Sequence, residues 1–322
     1  MVNSVLLLQL FRNMEQLDAV RLNFSPTSLT VMNIAIAFVM FGVALDIRPK
    51  NFKDILLKPK PVIIGVLSQY IMLPALTFLL ILLIKPTPTV AFGMILVASC
   101  PGGNISNFIS SLAKANVALS VSLTAISTIL CLFMTPLNFA FWGGLYAKHS
   151  PLLVPIKIDS LQMFYTVVIL LGIPVTLGML FSNYFPKVTK KILKPIKLLS
   201  ILVFIGFVIG AFAGNYTYFI KYISVIFMIV FLHNSLALVI GYVFPSLFKL
   251  DKIDRRTISI ETGIQNSGLG LILIFSPKIF PQTSIGGMAF IAAWWGIWHI
   301  ISGMGLAFWY SKHPVKSKIE NR

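Results

Sequence analysis

The sequence predicts an all-α protein that crosses a membrane about nine times. Of its 322 residues, 57% are apolar and only 11% are charged, and the mean hydropathy is +0.90. A typical soluble domain has about 25% charged residues, so a soluble enzyme, a disordered chain and a coiled coil are excluded. The apolar residues also gather into runs long enough to cross as helices, at 29–45, 61–84, 90–112, 117–143, 160–182, 198–213, 223–247, 257–276 and 284–310.

The net charge of +17 indicates how the chain is oriented in the membrane rather than a nucleic-acid partner. Of the 26 basic residues, 19 lie in alternate loops, at 46–60, 113–116, 183–197 and 248–256, and in the C-terminal tail. Because lysine and arginine collect in cytoplasmic loops, we expect the N-terminus outside and the C-terminus in the cytoplasm. We expect the chain to be located in the plasma membrane. Residues 1–28 are too short and too charged for a crossing, and we expect an interfacial segment there.

The third run is predicted to break near the middle of the membrane. Its centre reads Pro-Gly-Gly at 101–103, followed by Asn104, Ser106 and Asn107. Proline removes a backbone donor and glycine adds conformational freedom, so the helix is interrupted. Interrupted backbone at that depth is tolerated only where protein or a water-filled cavity surrounds it. The alternative is a simple proline kink, with the polar side chains bonding the freed carbonyls.

The eighth run contains Glu261, the one acidic residue inside an apolar run, within a polar cluster that includes Thr262, Gln265 and Asn266. A carboxylate at the centre of a membrane helix costs about 2.5–3.5 kcal/mol on insertion scales, so a partner is expected. One alternative places Glu261 near the cytoplasmic end, paired with the arginines at 255–256. That pairing would leave the deeper polar residues of the cluster unexplained.

The fourth run places Ser120 and Thr124 four residues apart on one helix face, with Ser127 beside them. Hydroxyl groups on a membrane helix often only hold neighbouring helices together, and that interpretation stays open. The face directly follows the interrupted third run, so it is also suited to closing a site with Ser106 and Asn107.

The two interrupted runs lie five crossings apart, so they cross the membrane in opposite directions. This arrangement predicts an inverted repeat, with a binding site where the two breaks meet. Half-helix N-termini favour an anion, whereas unwound carbonyls favour a cation. Glu261 and the surrounding hydroxyl and amide oxygens form a hard-oxygen set that suits Na⁺, and no Cys/His cluster indicates a softer metal.

Four segments resemble the bile acid:sodium symporter family. They are CPGGNISN at Cys100–Asn107, ETGIQNSG at Glu261–Gly268, KPKPVIIGVLSQYIMLPA at 58–75 and LHN at Leu232–Asn234. The resemblance extends from about residue 29 to residue 310. It implies a six-helix core with two broken crossing helices, a flanking panel, and uptake of an organic anion with two sodium ions.

The resemblance also implies roles for particular residues. The first sodium site would use Ser106, Asn107, Ser120, Thr124 and Glu261. The second would use Gln69, Glu261, Gln265 and backbone carbonyls near Thr262 and Ile264. The substrate would contact Asn104, Asn266 and His299, although His299 lies among tryptophans and a packing role is the alternative.

We therefore expect a sodium-coupled symporter that imports a bile-acid-like or small carboxylate anion by alternating access. The panel would comprise 29–60 and 144–221, the core 61–143 and 222–311, and the cytoplasmic tail 312–322. The partners would be the substrate, Na⁺ as coupling ion and the lipid bilayer, with no cofactor. The alternatives are a proton-coupled or efflux carrier and a non-transporting sensor. An intramembrane enzyme is disfavoured because no nucleophile–base pair is visible.

Overall fold

The structure, a computed structural model, describes residues 18, 26–45, 59–149, 160–213, 216–276, 279–280 and 285–315. This part of the chain is helical, so the all-α class is confirmed for it. The number of crossings and the inverted repeat stay predictions. The interfacial segment and the tail beyond residue 315 lie almost entirely outside the described residues.

The helices follow one another in the order of the predicted runs, with two runs divided. Among the described residues, α2, α5, α6, α8 and α11 are long and apolar enough to cross a membrane, and α3 is a shorter apolar helix. The bounds are α1 Pro26–Ala44, α2 Pro59–Ile84, α3 Pro88–Ser99, α4 Ile105–Leu112, α5 Val117–His149, α6 Ser160–Val167 continuing through Val168–Gly172 and Ile173–Tyr184, α7 Pro186–Ala213, α8 Tyr216–Leu247, α9 Lys252–Gly263, α10 Ser267–Ile274 and α11 Gly286–Lys312.

Several helices begin before the apolar run that predicts them. α7 starts at Pro186, about three turns ahead of the run at 198–213, and α9 starts at Lys252. The added turns are rich in lysine and arginine, which are good helix formers but do not count toward an apolar run. The runs therefore mark the hydrocarbon-facing length of a helix rather than its full length.

α2 and α6 each contain one wide, π-helical turn, at Ser68–Met72 and Val168–Gly172. In α2, Leu73 N donates to Ser68 O, five residues back, instead of four. A proline follows at 74 in α2 and at 174 in α6. Proline has no N–H for the carbonyl one turn earlier, and the widened turn accommodates that loss.

The Pro-Gly-Gly segment ends α3 at Ser99, and α4 begins at Ile105. α9 ends at Gly263, and α10 begins at Ser267 with Asn266 as its N-cap. The two interruptions pair with each other in antiparallel fashion through an isolated bridge. Gly103 N donates to Ile264 O at 2.6 Å, and Asn266 N donates to Pro101 O at 2.8 Å. Each break thus supplies backbone partners that the other has lost.

Two of the half-helices at the crossing, α3 and α10, lie inside the protein. Residues Thr89–Ser99 of α3 and Ser267–Ile274 of α10 are all buried. α11 packs along both, and a Cβ added at Gly93 of α3 would lie 2.8 Å from Met288 Cα of α11. The interrupted backbone is therefore enclosed by protein, as membrane depth requires.

A second group of helices, α1, α6 and α7, packs together through small residues. A Cβ added at Gly42 of α1 would meet Ile196 of α7, and one at Gly178 of α6 would meet Phe41 O. Ser182 Oγ of α6 also donates to Leu45 O at 3.0 Å, just beyond the end of α1. Small residues that allow close helix approach are typical of membrane interfaces.

The close approach of α8 to α9 gives the first testable prediction. A Cβ at Gly241 of α8 would lie 2.7 Å from Ser259 Cα and 2.8 Å from Ile258 O of α9. Both atoms are backbone, so the helices must separate, and we expect Gly241→Ala to lower the free energy of unfolding by about 1–3 kcal/mol. Gly305→Ala, which meets nothing within 4 Å, is the control. Equal melting temperatures for the two variants in detergent would contradict this packing.

Candidate ion and substrate site at the helix crossing

The carboxylate of Glu261 lies beside the crossing and is surrounded by hydroxyl groups. Its side chain is buried, with 2% of the residue exposed. Ser106 Oγ of α4 donates to Oε1 at 2.5 Å, and Ser120 Oγ of α5 donates to the same oxygen. Thr124 Oγ1, one turn after Ser120, lies 3.1 Å from both carboxylate oxygens. Hydroxyl groups from two helices, α4 and α5, therefore converge on one carboxylate of α9.

These contacts bring together the residues expected at the first sodium site. Asn107 joins the group because its Oδ1 accepts from Thr124 Oγ1 at 3.3 Å. Within the described part of the chain every partner of the carboxylate is neutral, so a negative charge there would be hydrogen-bonded but not neutralised. A cation coordinated by carboxylate, hydroxyl and amide oxygens would supply that neutralisation. The geometry suits such an ion, and its binding stays a prediction.

The residues expected at the second sodium site are gathered around the backbone of residues 261–264. Gln69, in the wide turn of α2, donates its Nε2 to Glu261 O at 3.4 Å. Gln265 Nε2 donates to Thr262 O at 2.8 Å, and Ile264 O accepts from Gly103 N at 2.6 Å. Gln265 is 1% exposed, and its Oε1 has no hydrogen-bond partner in the described part of the chain.

The arginines considered as partners of Glu261 are engaged elsewhere. Arg255 Nε donates to Tyr242 O at 3.2 Å, and the guanidinium lies 4.2 Å from the centre of the Tyr242 ring. Arg256 donates to Tyr310 O at 3.1 Å and to His313 O at 2.5 Å, where α11 ends. The alternative in which an arginine neutralises Glu261 is therefore wrong for this structure.

The residues expected to contact the substrate are only partly brought together. Asn104 and Asn266 are each partly exposed at the crossing, one next to α4 and one next to α10. Asn266 Oδ1 accepts from Leu269 N at 3.1 Å, and its Nδ2 lies 3.9 Å from Met40 Sδ of α1. His299 is buried on α11, and no hydrogen bond among the described residues joins its side chain to either asparagine.

Comparison with known proteins matches the sequence of this chain to one family. A family model described as the sodium bile acid symporter family covers residues 33–222. The chain belongs to the sodium bile acid symporter family. The resemblance found in the sequence motifs is therefore confirmed.

Individual relatives agree with the family assignment. An "Uncharacterized sodium-dependent transporter" of Bacillus subtilis (strain 168) is 34% identical over 287 residues, covering 89% of this chain and 84% of the relative. "Probable sodium/metabolite cotransporter BASS1, chloroplastic" of Arabidopsis thaliana is 32% identical, over 78% of this chain and 61% of the relative. The "Ileal sodium/bile acid cotransporter" of Oryctolagus cuniculus is 27% identical, over 84% of this chain and 79% of the relative. The family and these relatives are sodium-dependent transporters, not enzymes.

The structure adds two polar residues that the sequence analysis did not assign to the site. Ser68 Oγ lies 3.1 Å from Thr262 Oγ1, and Asn234 Nδ2 donates to Gly263 O at 2.7 Å. Asn234 belongs to the LHN segment that resembles the family, but the residue it contacts, Gly263, is distant in the sequence. Ser68 lies next to Gln69, and the sequence alone does not indicate that it contacts Thr262.

The space around Gly102 gives a prediction for this family member. A Cβ there would lie 2.8 Å from Glu261 Oε2 and 2.9 Å from Gln69 Nε2. Both are ends of side chains that can move, so we expect Gly102→Ala to keep its melting temperature in KCl within about 4 °C of the wild type. Glu261 and Gln69 would no longer be placed to bind the same ion. The rise in melting temperature from KCl to NaCl should therefore fall by at least half.

Gly270→Ala is the matched control, because its Cβ would make ordinary contacts, 3.7 Å from Cys100 Sγ and 3.9 Å from Ala292 Cβ. Melting temperatures in KCl and NaCl at equal ionic strength measure both effects. Unaltered sodium stabilisation in the Gly102 variant would contradict an ion site between Glu261 and Gln69.

Proposed function

We propose that this chain is a symporter that imports an organic anion together with two sodium ions by alternating access. The observation that carries the proposal is the buried Glu261 carboxylate, which lies at the crossing of two interrupted helices and, among the residues that the structure describes, is bonded only to neutral groups. A bound cation would offset that charge, and relatives named as sodium-dependent transporters support Na⁺ as the cation.

The two ions would lie on opposite sides of the Glu261 carboxylate. The first would be held by oxygens of Ser106, Asn107, Ser120 and Thr124. The second would be held by Gln69, Gln265 and the carbonyls of Thr262 and Ile264. The unpartnered Oε1 of Gln265 supports this, because a buried acceptor without a partner costs about 1–3 kcal/mol unless a ligand supplies one.

The substrate would bind on the exposed side of the crossing, near Asn104, Asn266 and His299. The half-helices α4 and α10 both begin at the crossing, and the positive end of a helix dipole attracts negative charge. The names of two relatives mention bile acid and a metabolite, both organic, and we propose an organic anion of the bile-acid-like or small carboxylate class.

The transport step would move a core against a panel. The close packing of α1, α6 and α7 with one another supports them as the panel. The remaining helices would form the core, in a chain that crosses the plasma membrane nine times with its N-terminus outside. With this orientation, each sodium ion that enters gains about 2.3 kcal/mol per 100 mV of membrane potential.

Sodium binding is tested by thermal unfolding of the detergent-purified chain in NaCl, KCl and choline chloride at equal ionic strength. A ligand that binds only the folded state stabilises it by about 2.7 kcal/mol at 100 times its Kd. We expect NaCl alone to raise the melting temperature and Glu261→Gln to abolish that rise. Asp254→Asn, an acid-to-amide change on the same helix outside the hydroxyl cluster, should keep it.

If the three salts act alike on the wild-type chain, the sodium sites are refuted. Uptake into sealed vesicles that follows pH and ignores Na⁺ would then favour the proton-coupled carrier. Binding of an anion without its accumulation would favour the sensor.

The substrate side is tested by two matched changes at Asn266. An aspartate keeps an oxygen that can cap Leu269 N but adds a negative charge, and a serine keeps a capping oxygen without the charge. We expect Asn266→Asp to lose uptake of organic anions by at least tenfold relative to Asn266→Ser, while both retain the sodium-dependent melting shift. Equal uptake by the two variants would remove Asn266 from the anion path.

A further inference from the structure

The crossing contains two half-helix ends whose last carbonyls need partners from outside their own helix. Ser99 is the last residue of α3, and Gly263 is the last residue of α9. Each carbonyl accepts a hydrogen bond from a side chain on a long, continuous helix. Thr135 Oγ1 of α5 donates to Ser99 O at 2.7 Å, and Asn234 Nδ2 of α8 donates to Gly263 O at 2.7 Å.

Both donors are enclosed and fixed in place. Thr135 and Asn234 are each 0% exposed. Asn234 is held at its other end as well, because its Oδ1 accepts from Ser302 Oγ of α11 at 2.5 Å. The amide therefore connects α8, the end of α9 and α11 in one chain of hydrogen bonds.

The two carbonyls are next to the groups proposed to bind sodium but are not among them. Gly263 lies between Thr262 and Ile264, whose carbonyls are proposed ligands of the second ion. Ser99 directly precedes the segment whose Pro101 and Gly103 pair with the other break. A bond to Ser99 O or Gly263 O thus fixes where a half-helix ends without occupying a ligand of the ion.

We propose that Thr135 and Asn234 are positioning residues that hold the two half-helix ends, so that the carbonyls of the crossing keep the geometry that sodium requires. This inference rests on the proposed function, since it assigns the two residues a role at its ion sites. Each bond removes freedom from an interrupted backbone before the ion arrives. Without it, binding must also order that backbone, and the sodium affinity falls.

The test compares two threonine-to-valine variants, since valine keeps the shape of threonine and removes only its hydroxyl group. Thr135→Val removes the bond to Ser99 O, and Thr77→Val removes a bond of equal length, 2.7 Å, to His233 Nε2. Both threonines are 0% exposed, and only Thr135 contacts a break. A general loss of stability would appear in both variants, whereas a positioning role concerns only the first.

The readout is the sodium concentration that gives half of the maximal rise in melting temperature. We expect Thr135→Val and Asn234→Ala to raise it about threefold to tenfold, the value of one hydrogen bond, and Thr77→Val to leave it within twofold of the wild type. Ser302→Ala, which removes only the outer anchor of Asn234, should produce a smaller rise. It also serves as the milder variant if Asn234→Ala does not fold.

A second measurement does not require sodium. Hydrogen–deuterium exchange in KCl follows the amides of Gly103 and Asn266, which donate across the crossing. We expect faster exchange of the peptides that contain them in Thr135→Val and Asn234→Ala than in Thr77→Val.

The outcomes separate this inference from the proposed function. If sodium stabilises the wild-type chain but the Thr135 and Asn234 variants behave like Thr77→Val, the positioning role is overturned and the transporter proposal stands. If sodium does not stabilise the wild-type chain, the proposed function fails. The exchange experiment then decides whether Thr135 and Asn234 hold the half-helix ends. Faster exchange would still support the holding of the half-helix ends, and unchanged exchange would overturn it.

Discussion

A carboxylate buried within a membrane protein must be offset by its partners, and Glu261 has only neutral ones among the described residues. Three hydroxyl groups from two helices converge on its oxygens, while the nearby arginines cap other parts of the fold. Hydroxyl groups stabilise the charge but do not cancel it. Under the proposed function a cation would complete the arrangement, and this would explain why an acid is located where insertion into the membrane is costly.

The second constraint is the backbone at the crossing. An interrupted helix exposes N–H and C=O groups that cannot turn to water at membrane depth. The two breaks satisfy each other through the bonds Gly103 N to Ile264 O and Asn266 N to Pro101 O. Because the partners come from separate parts of the chain, neither break can change its backbone without the other. The crossing therefore behaves as one unit, and an ion bound to either break acts on both.

Sequence alone predicted the parts of this site whose signals are local. The Pro-Gly-Gly segment predicts the end of α3, and the four-residue spacing of Ser120 and Thr124 predicts a shared face. The contacts that fix the half-helix ends were not predictable, because Asn234 and Gly263 meet only after the helices pack. The wide turn at Ser68–Met72 was also missed, since its one signal is Pro74, which is equally compatible with a kink. The starts of α7 and α9 were missed because their first turns are basic.

Under the proposed function, Asn266 offers a route by which ion binding at the crossing would affect a bound anion. Its backbone N–H is fixed by Pro101 O, and its Oδ1 caps Leu269 N at the start of α10. Its remaining polar group, the side-chain Nδ2, lies 3.9 Å from Met40 Sδ of α1. At this point the group formed by α1, α6 and α7 meets the crossing. An ion that orders the carbonyls at 262–264 also orders the residue two positions later. The same ordering would direct the amide and the N-terminus of α10 toward the partly exposed side, and under the proposed function it would couple sodium and substrate binding through the backbone.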